Sequence, residues 1–311
     1  MIISASRRTD IPAYYSDWFI NRVKAGYVLV RNPRNPRQVS KINLLPDVVS
    51  GIVFWTKNPK KLMKNLSDLS DYTYYFQFSL TPYGRDIEPN LPSKTDELLQ
   101  TFKQLSTMIG SNRVIWRYDP ILINEKYTSD YHFRAFETIA QELSGFTKKV
   151  IISFIDTHYR NVKRNINALG LKVFENEQKM AFIRKLVAIA DCYGLVIEYC
   201  SGVLDLQHLG VRSARCIDFQ LFSELLGCEL QASKDKNQRP ECGCMPSVDI
   251  GVYNTCLHSC KYCYANYNQV IVAKNCDLHD SRSPLLIGDV TNGDNITDRV
   301  ITSFKGNKVK V

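Results

Sequence analysis

Long hydrophobic runs are missing from this chain: nowhere in its 311 residues does an apolar stretch approach the roughly 18 that a membrane span needs. Internal repeats and low-complexity tracts are missing as well. No secretory apolar segment develops at the start, because Met1-Ile2-Ile3 soon meets Arg7 and Arg8, so a cytoplasmic location is the default expectation. Cysteine is absent before Cys192, and all ten cysteines fall between Cys192 and Cys276. A disulfide scaffold belongs to short secreted chains, and this chain is neither. In a reducing compartment, crowded thiols read instead as ligands for a metal or a cluster.

What is present is ordinary for a globular protein, with 44% hydrophobic and 23% charged residues. Length alone suggests two domains, with the α/β barrel as the main exception. Lys and Arg number 40 against 31 Asp and Glu, a surplus of +9 that is spread out and points only weakly to an anionic partner such as nucleic acid.

Seven β-branched or aromatic runs each end in a polar, turn-forming cluster: Ile2–Ser6, Ile52–Trp55, Tyr74–Leu80, Val114–Trp116, Val150–Ile155, Leu195–Tyr199 (followed by Cys200-Ser201-Gly202) and Val248–Tyr253. Near-continuous apolar runs suit strands buried on both faces. Helix-period stretches lie between them at Tyr15–Lys24, Thr95–Met108, Tyr131–Leu143, Glu177–Ala190 and Asp218–Leu226. Alternation of this kind predicts parallel βαβ units, and seven strands are nearly enough for a closed TIM-barrel-like (β/α) fold. Tyr27–Asn43 reads as an extra hairpin with Pro33 and Pro36 in its turn. The expected organisation is one (β/α) barrel-like domain over 1–275 and a C-terminal extension over 276–311.

The strongest chemical signal is Cys256-Leu257-His258-Ser259-Cys260-Lys261-Tyr262-Cys263, a C-x3-C-x2-C spacing. Three thiolates from one tight loop can hold three irons of a cubane and leave the fourth open, as a catalytic cluster requires. Structural zinc needs a fourth ligand, which His258 or a distant cysteine could supply, although a hydrogen-bonded His258 is the expectation. With an aromatic residue directly before its third cysteine, the loop resembles the signature of the radical S-adenosylmethionine (SAM) superfamily. That resemblance implies a [4Fe–4S] cluster on Cys256, Cys260 and Cys263, SAM on the open iron, and Tyr262 either beside the adenine or as a packed aromatic. The motif sits late in the chain, which a permuted barrel accommodates if Val248–Tyr253 lies next to Ile2–Ser6. Arg7 to Asp10 would then stand where the superfamily holds the SAM amino group, with Arg7 and Asp10 as the cofactor-binding candidates in the absence of a Gly-Gly-Glu motif. The stretches SASRRTDIPA, VFWTKNP, LTPYGRDIEPN, WRYDPI and DIGVYNTCLHSCKYCYA also resemble the uncharacterised bacterial family called domain of unknown function 1848, which carries a C-terminal cysteine cluster of this type.

Cys200, Cys216, Cys242 and Cys244 could hold a second cluster or a zinc ion, provided that the segment Glu229–Ser247 climbs back toward the carboxyl ends of the strands. Otherwise they are isolated thiols. Cys192, Cys228 and Cys276 read as small apolar residues. Lys57, Arg85, Arg117 and Asp119 each follow a strand and are the candidates for a catalytic rim, where cations could hold the SAM carboxylate or an anionic substrate. Ion pairing of Arg117 with Asp119 is the alternative. Asp156 and His158 form a weaker acid–base candidate, and Trp55 and Trp116 are expected in the barrel core.

Together these features predict a radical SAM enzyme of unknown substrate, served by a reducing donor such as flavodoxin or ferredoxin. The rivals are a non-enzymatic zinc- or cluster-binding protein, and a radical enzyme that acts on DNA or RNA through a basic, aromatic-lined surface.

Overall fold

A computed structural model describes residues 1–304 apart from Ser201 and Val203. Ser201, part of the expected turn after the sixth run, and residues 305–311 of the expected C-terminal extension lie outside the described residues. The strands are β1 (Ile2–Ala5), β2 (Tyr27–Asn32), β3 (Asn35–Asn43), β4 (Gly51–Thr56), β5 (Tyr74–Ser79), β6 (Val114–Ile121), β7 (Lys149–Phe154), β8 (Val196–Tyr199), β9 (Arg212–Ser213), β10 (Val248–Asp249) and β11 (Asn295–Asp298). Eight of them form one sheet in the order β10-β1-β4-β5-β6-β7-β8-β9, every pair parallel. From β1 to β9 each sheet strand lies beside the next in the chain, as in a singly wound barrel. The sheet is nevertheless open. Its edge strands β9 and β10 have two residues each, too short to ladder together, so the expected closure is not reached.

Both faces are buried, for the reason that the apolar runs suggested. One set of alternate side chains, including Ile3, Phe54, Phe76, Trp116 and Ile152, packs into the main core together with the long helices Ser129–Leu143 and Asn176–Cys192. The other set, Ile2, Val53, Tyr75, Ile115 and Ile151, packs against Ile217, Phe222 and Met245. Phe222 belongs to the helix Phe219–Leu226, whose first turn is capped by the Asp218 carboxylate accepting from the Gln220 amide. The approach there is tight: a Cβ on Gly51 would sit 2.1 Å from Phe222 Cε1. Gly51→Ala is expected to cost about 1–3 kcal/mol through overpacking. Urea denaturation checks this, and an unchanged midpoint would contradict it.

All five expected helices are present, and among the described residues the short helices Ile11–Tyr14 and Lys60–Met63 and the longer Arg160–Leu169 and Gln269–Asp277 are additional. The hairpin is β2 paired antiparallel with β3, but β3 starts at Asn35, so Pro36 lies in a strand and only Pro33 in the turn. β11 adds to β3 in parallel and makes a separate three-stranded sheet. Two strands differ from their predicted lengths in ways that matter for the site. β6 continues through Arg117-Tyr118-Asp119-Pro120, so Arg117 and Asp119 stand on the strand itself rather than on a loop after it. β10 stops at Asp249, whose carboxylate accepts from the Gly251 amide and from groups at the end of β1.

Candidate functional site

The β1–β10 junction sets the site. The Asp249 carboxylate accepts from Ser4 Oγ at 2.9 Å, Ser6 Oγ at 2.6 Å, the Arg7 amide at 2.8 Å and the Gly251 amide at 3.0 Å. Gly251 is needed for this closeness, since a Cβ there would lie 2.1 Å from Ser6 Oγ. The cysteine loop that follows therefore leaves the sheet beside the carboxyl end of β1. Its backbone enters the left-handed region at Asn254 (φ 56°) and Ser259 (φ 58°), the two such non-glycine positions among the described residues.

A buried knot ties this loop to the first strand. Asp10 accepts from the Ala13 amide at 3.0 Å through Oδ1, and through Oδ2 from the Lys57 amide at 2.7 Å. The same Oδ2 lies 2.7 Å from His258 Nε2, and His258 Nδ1 lies 2.8 Å from Tyr14 Oη. The expected hydrogen-bonded His258 is thus what the fold contains. Asp10 is buried and spends both oxygens on these contacts.

On the other side of the loop, Glu88 is a buried carboxylate serving two ammonium groups. It accepts from Lys57 Nζ at 2.8 Å, from Thr81 Oγ1 at 2.9 Å, and from Lys94 and the Tyr262 hydroxyl. Burial pushes its carboxyl up, but the Lys57 and Lys94 cations outweigh that and hold it down at about 2. Lys57 is raised because Glu88 more than offsets its own desolvation. Lys94 is lowered, since its burial and repulsion by Lys57 win over its pairing with Glu88. Lys57 also lies 5.5 Å from the centre of the Tyr262 ring. Tyr262 is itself packed with Tyr83, Ile87 and Leu122.

Between these braces Cys256, Cys260 and Cys263 lie partly exposed on one loop, near enough for Cys256 and Cys260 each to feel the charge of Cys263. Burial raises all three thiols, Cys260 to about 12 even with Lys57 drawing it down. The Ala265 amide donates to Cys263 Sγ at 3.4 Å. Asn266 Nδ2 donates to the Cys256 carbonyl at 2.7 Å, while its buried Oδ1 has no partner among the described residues. Cys276, expected as a small apolar residue, also reaches this neighbourhood, with its sulfur 3.3 Å from Tyr15 Oη.

A second group occupies the inner face of the sheet. Trp55 is the correction here: Trp116 is core, but Trp55 is partly exposed and carries the Arg7 and Arg117 guanidinium groups at 5.3 and 5.2 Å from its ring. Arg117 donates to Asp119 Oδ2 at 3.1 Å, to Gln77 Oε1 at 3.3 Å and to Cys216 Sγ at 2.9 Å. Ser153 hydroxyl donates to the other Asp119 oxygen. Cys200, Cys216, Cys242 and Cys244 meet beside this pair, because residues 229–247 do return to the carboxyl ends of the strands. The Asp235 amide donates to Cys244 O and the Met245 amide to Ile217 O. Cys216 is held well below the usual thiol range by hydrogen bonds from Cys200 and Cys244 and by Arg117.

These contacts run as a chain of pairs, and among the described residues no ready-made cage of three or more His, Cys, Asp or Glu is present. Arg85 is exposed. Asp156 and His158 are 2.9 Å apart, but His158 is almost fully exposed and Arg239 takes the other oxygen at 2.6 Å. Cys192 and Cys228, expected as small apolar residues, are exposed.

Residues 2–265 match the family described as Domain of unknown function (DUF1848). The chain belongs to that family. The match of this DUF1848 chain takes in the β1–β10 junction, both lysines and the three-cysteine loop, and ends at Ala265. None of the curated proteins matches it. Among solved structures it is similar to the Bacillus cereus enoyl-acyl carrier protein reductase with NADP+ and indole naphthyridinone, at 11% identity over 67% of this chain and 77% of that one. The TM-score of 0.24 is too low for that likeness to carry fold or function. Among the described residues no helix is long and apolar enough to cross a membrane.

Glu88, Lys94, Tyr14 and Asp249 are the residues that sequence reasoning missed. Glu88 lay within the stretch LTPYGRDIEPN, whose acidic residue between apolar neighbours was the available signal.

Proposed function

We propose that this chain is a radical SAM enzyme built on an open, permuted (β/α)-barrel-like sheet, with Cys256, Cys260 and Cys263 as ligands of a [4Fe–4S] cluster. The observation that carries the proposal is the three-thiol loop at the carboxyl edge of the sheet, fixed beside β1 through the His258 contact with buried Asp10. The donor chemistry fits: three soft sulfurs in eight residues, with an amide N–H aimed at one of them and no fourth cysteine inside the loop. When bound, the reduced cluster and SAM supply a 5′-deoxyadenosyl radical for hydrogen abstraction.

The chain's own residues bind, orient and exclude water. Lys57 and Lys94, neutralised only in part by the single charge of Glu88, leave a net cationic wall beside Cys260 that suits a carboxylate. Among the described residues the buried Asn266 Oδ1 and the Thr9 hydroxyl have no hydrogen-bond partner, which suits them to polar groups of a bound molecule. Asp10, with both oxygens engaged, acts as a positioning residue for His258 and the loop rather than as a direct ligand. Arg7 and Arg117 line the inner mouth with Asp119. A cavity of about 450 Å³ that includes Arg7, Arg8, Tyr159, Tyr253 and Tyr264 offers room for an anionic substrate. A flavodoxin or ferredoxin would supply the electron, and a cytoplasmic setting would supply the reducing conditions.

Anaerobic reconstitution tests the proposal. Brown absorbance and release of 5′-deoxyadenosine with dithionite and SAM are expected. A colourless chain that leaves SAM intact under those conditions overturns it.

A further inference from the structure

We infer that Cys200, Cys216, Cys242 and Cys244 form a separate four-thiolate site for a single soft divalent metal ion, zinc in the first instance. The four come from three places in the chain: the end of β8, the approach to the helix Phe219–Leu226, and the Cys242-Gly243-Cys244 turn. Cys200 and Cys216 sulfurs are 3.5 Å apart, well beyond a disulfide bond of about 2.05 Å. Cys216 is also in side-chain contact with Cys244, and Cys244 with Cys242.

Spacing selects the kind of metal centre. Four sulfurs each about 2.3 Å from one tetrahedral ion lie about 3.8 Å from one another. A cubane cluster places each sulfur on a different iron and spreads them beyond contact. The 3.5 Å pair therefore fits two sulfurs on one metal ion and not a cubane.

Charge and surroundings agree with this assignment. Four thiolates around a divalent ion carry two negative charges, and two guanidinium groups face them. Arg117 donates to Cys216 Sγ at 2.9 Å, and Arg7 interacts electrostatically with Cys244 and Cys216. Backbone and side-chain donors fix the ligands as an outer shell should. The Ile217 amide donates to Cys244 Sγ at 3.4 Å, and Tyr75 Oη and Gln77 Nε2 donate to the Cys216 carbonyl at 2.8 and 2.9 Å. The site ties the returning segment to the inner face of β5 and β6, so its role is structural: no corner is left for a substrate.

The test uses the full chain with Cys256, Cys260 and Cys263 all changed to Ala, which separates this site from the cluster loop. Elemental analysis after anaerobic purification is expected to find about one zinc, or one iron without sulfide, per chain. Exchange into Co²⁺ should give the visible bands of a tetrahedral thiolate complex. Adding Cys242→Ser and Cys244→Ser should remove that metal, with circular dichroism reporting whether the fold survives. Absence of any bound metal in the triple variant overturns the inference, and so does retention of iron together with sulfide, whether about two irons or about four. Neither result touches the cluster on the other loop.

Discussion

A chain in which Cys256, Cys260 and Cys263 are all replaced by alanine is expected to lose the whole of a reconstituted cluster, about four irons, and all SAM cleavage. Each sulfur would hold a separate iron, so a single replacement should also fall far below stoichiometric iron. Cys228→Ala is the control, because Cys228 is exposed and belongs to neither group. Iron and sulfide analysis, read against 5′-deoxyadenosine formation, gives the answer. Equal iron in the triple variant and the control would mean that the cluster sits on other ligands, and the proposed chemistry would lose its seat.

The same loop shows how far sequence reasoning reached. The thiol spacing lies within eight residues and was legible at once. So was the neighbour relation of β10 and β1, which a permuted, nearly closed barrel implied. Closure of the barrel was overestimated: a run such as Val248–Tyr253 looks like a six-residue strand, but only Val248 and Asp249 pair with β1, and beyond them the chain turns into the cysteine loop. The helix Arg160–Leu169 escaped notice because few of its residues are apolar and just Asn161, Val162 and Leu169 are buried. Trp55 reads as core by composition, yet its role comes from Arg7 and Arg117, which lie far from it in sequence. Long-range polar contacts have no periodicity to betray them. The return of Cys242 and Cys244 to Cys216 likewise depends on an irregular segment whose path no pattern encodes.

Glu88 is the long-range contact with the largest expected consequence. Glu88→Ala would leave the Lys57 and Lys94 ammonium groups without their carboxylate in a site where Glu88 has no solvent exposure. Removing one partner of a buried charge pair costs about 3–5 kcal/mol, and urea denaturation at pH 7 should show a loss of that size. The pH dependence follows from the same contact. The folded carboxyl is held at about 2 against an ordinary 4.5, so its stabilisation is fully present above pH 4.5 and disappears as the pH falls toward 2. That difference corresponds to about 3 kcal/mol. The wild-type chain should therefore lose stability across that window more steeply than Glu88→Gln, whose amide keeps the acceptor but has no proton to take up. Parallel curves for the two proteins between pH 5 and 3 would show that the lysines draw their stability from elsewhere. The variant also reports on the site: with Glu88 gone, Tyr262 loses its hydroxyl acceptor and Lys57 its anchor, so the loop that carries Cys260 and Cys263 is expected to retain iron less well than wild type after equal reconstitution.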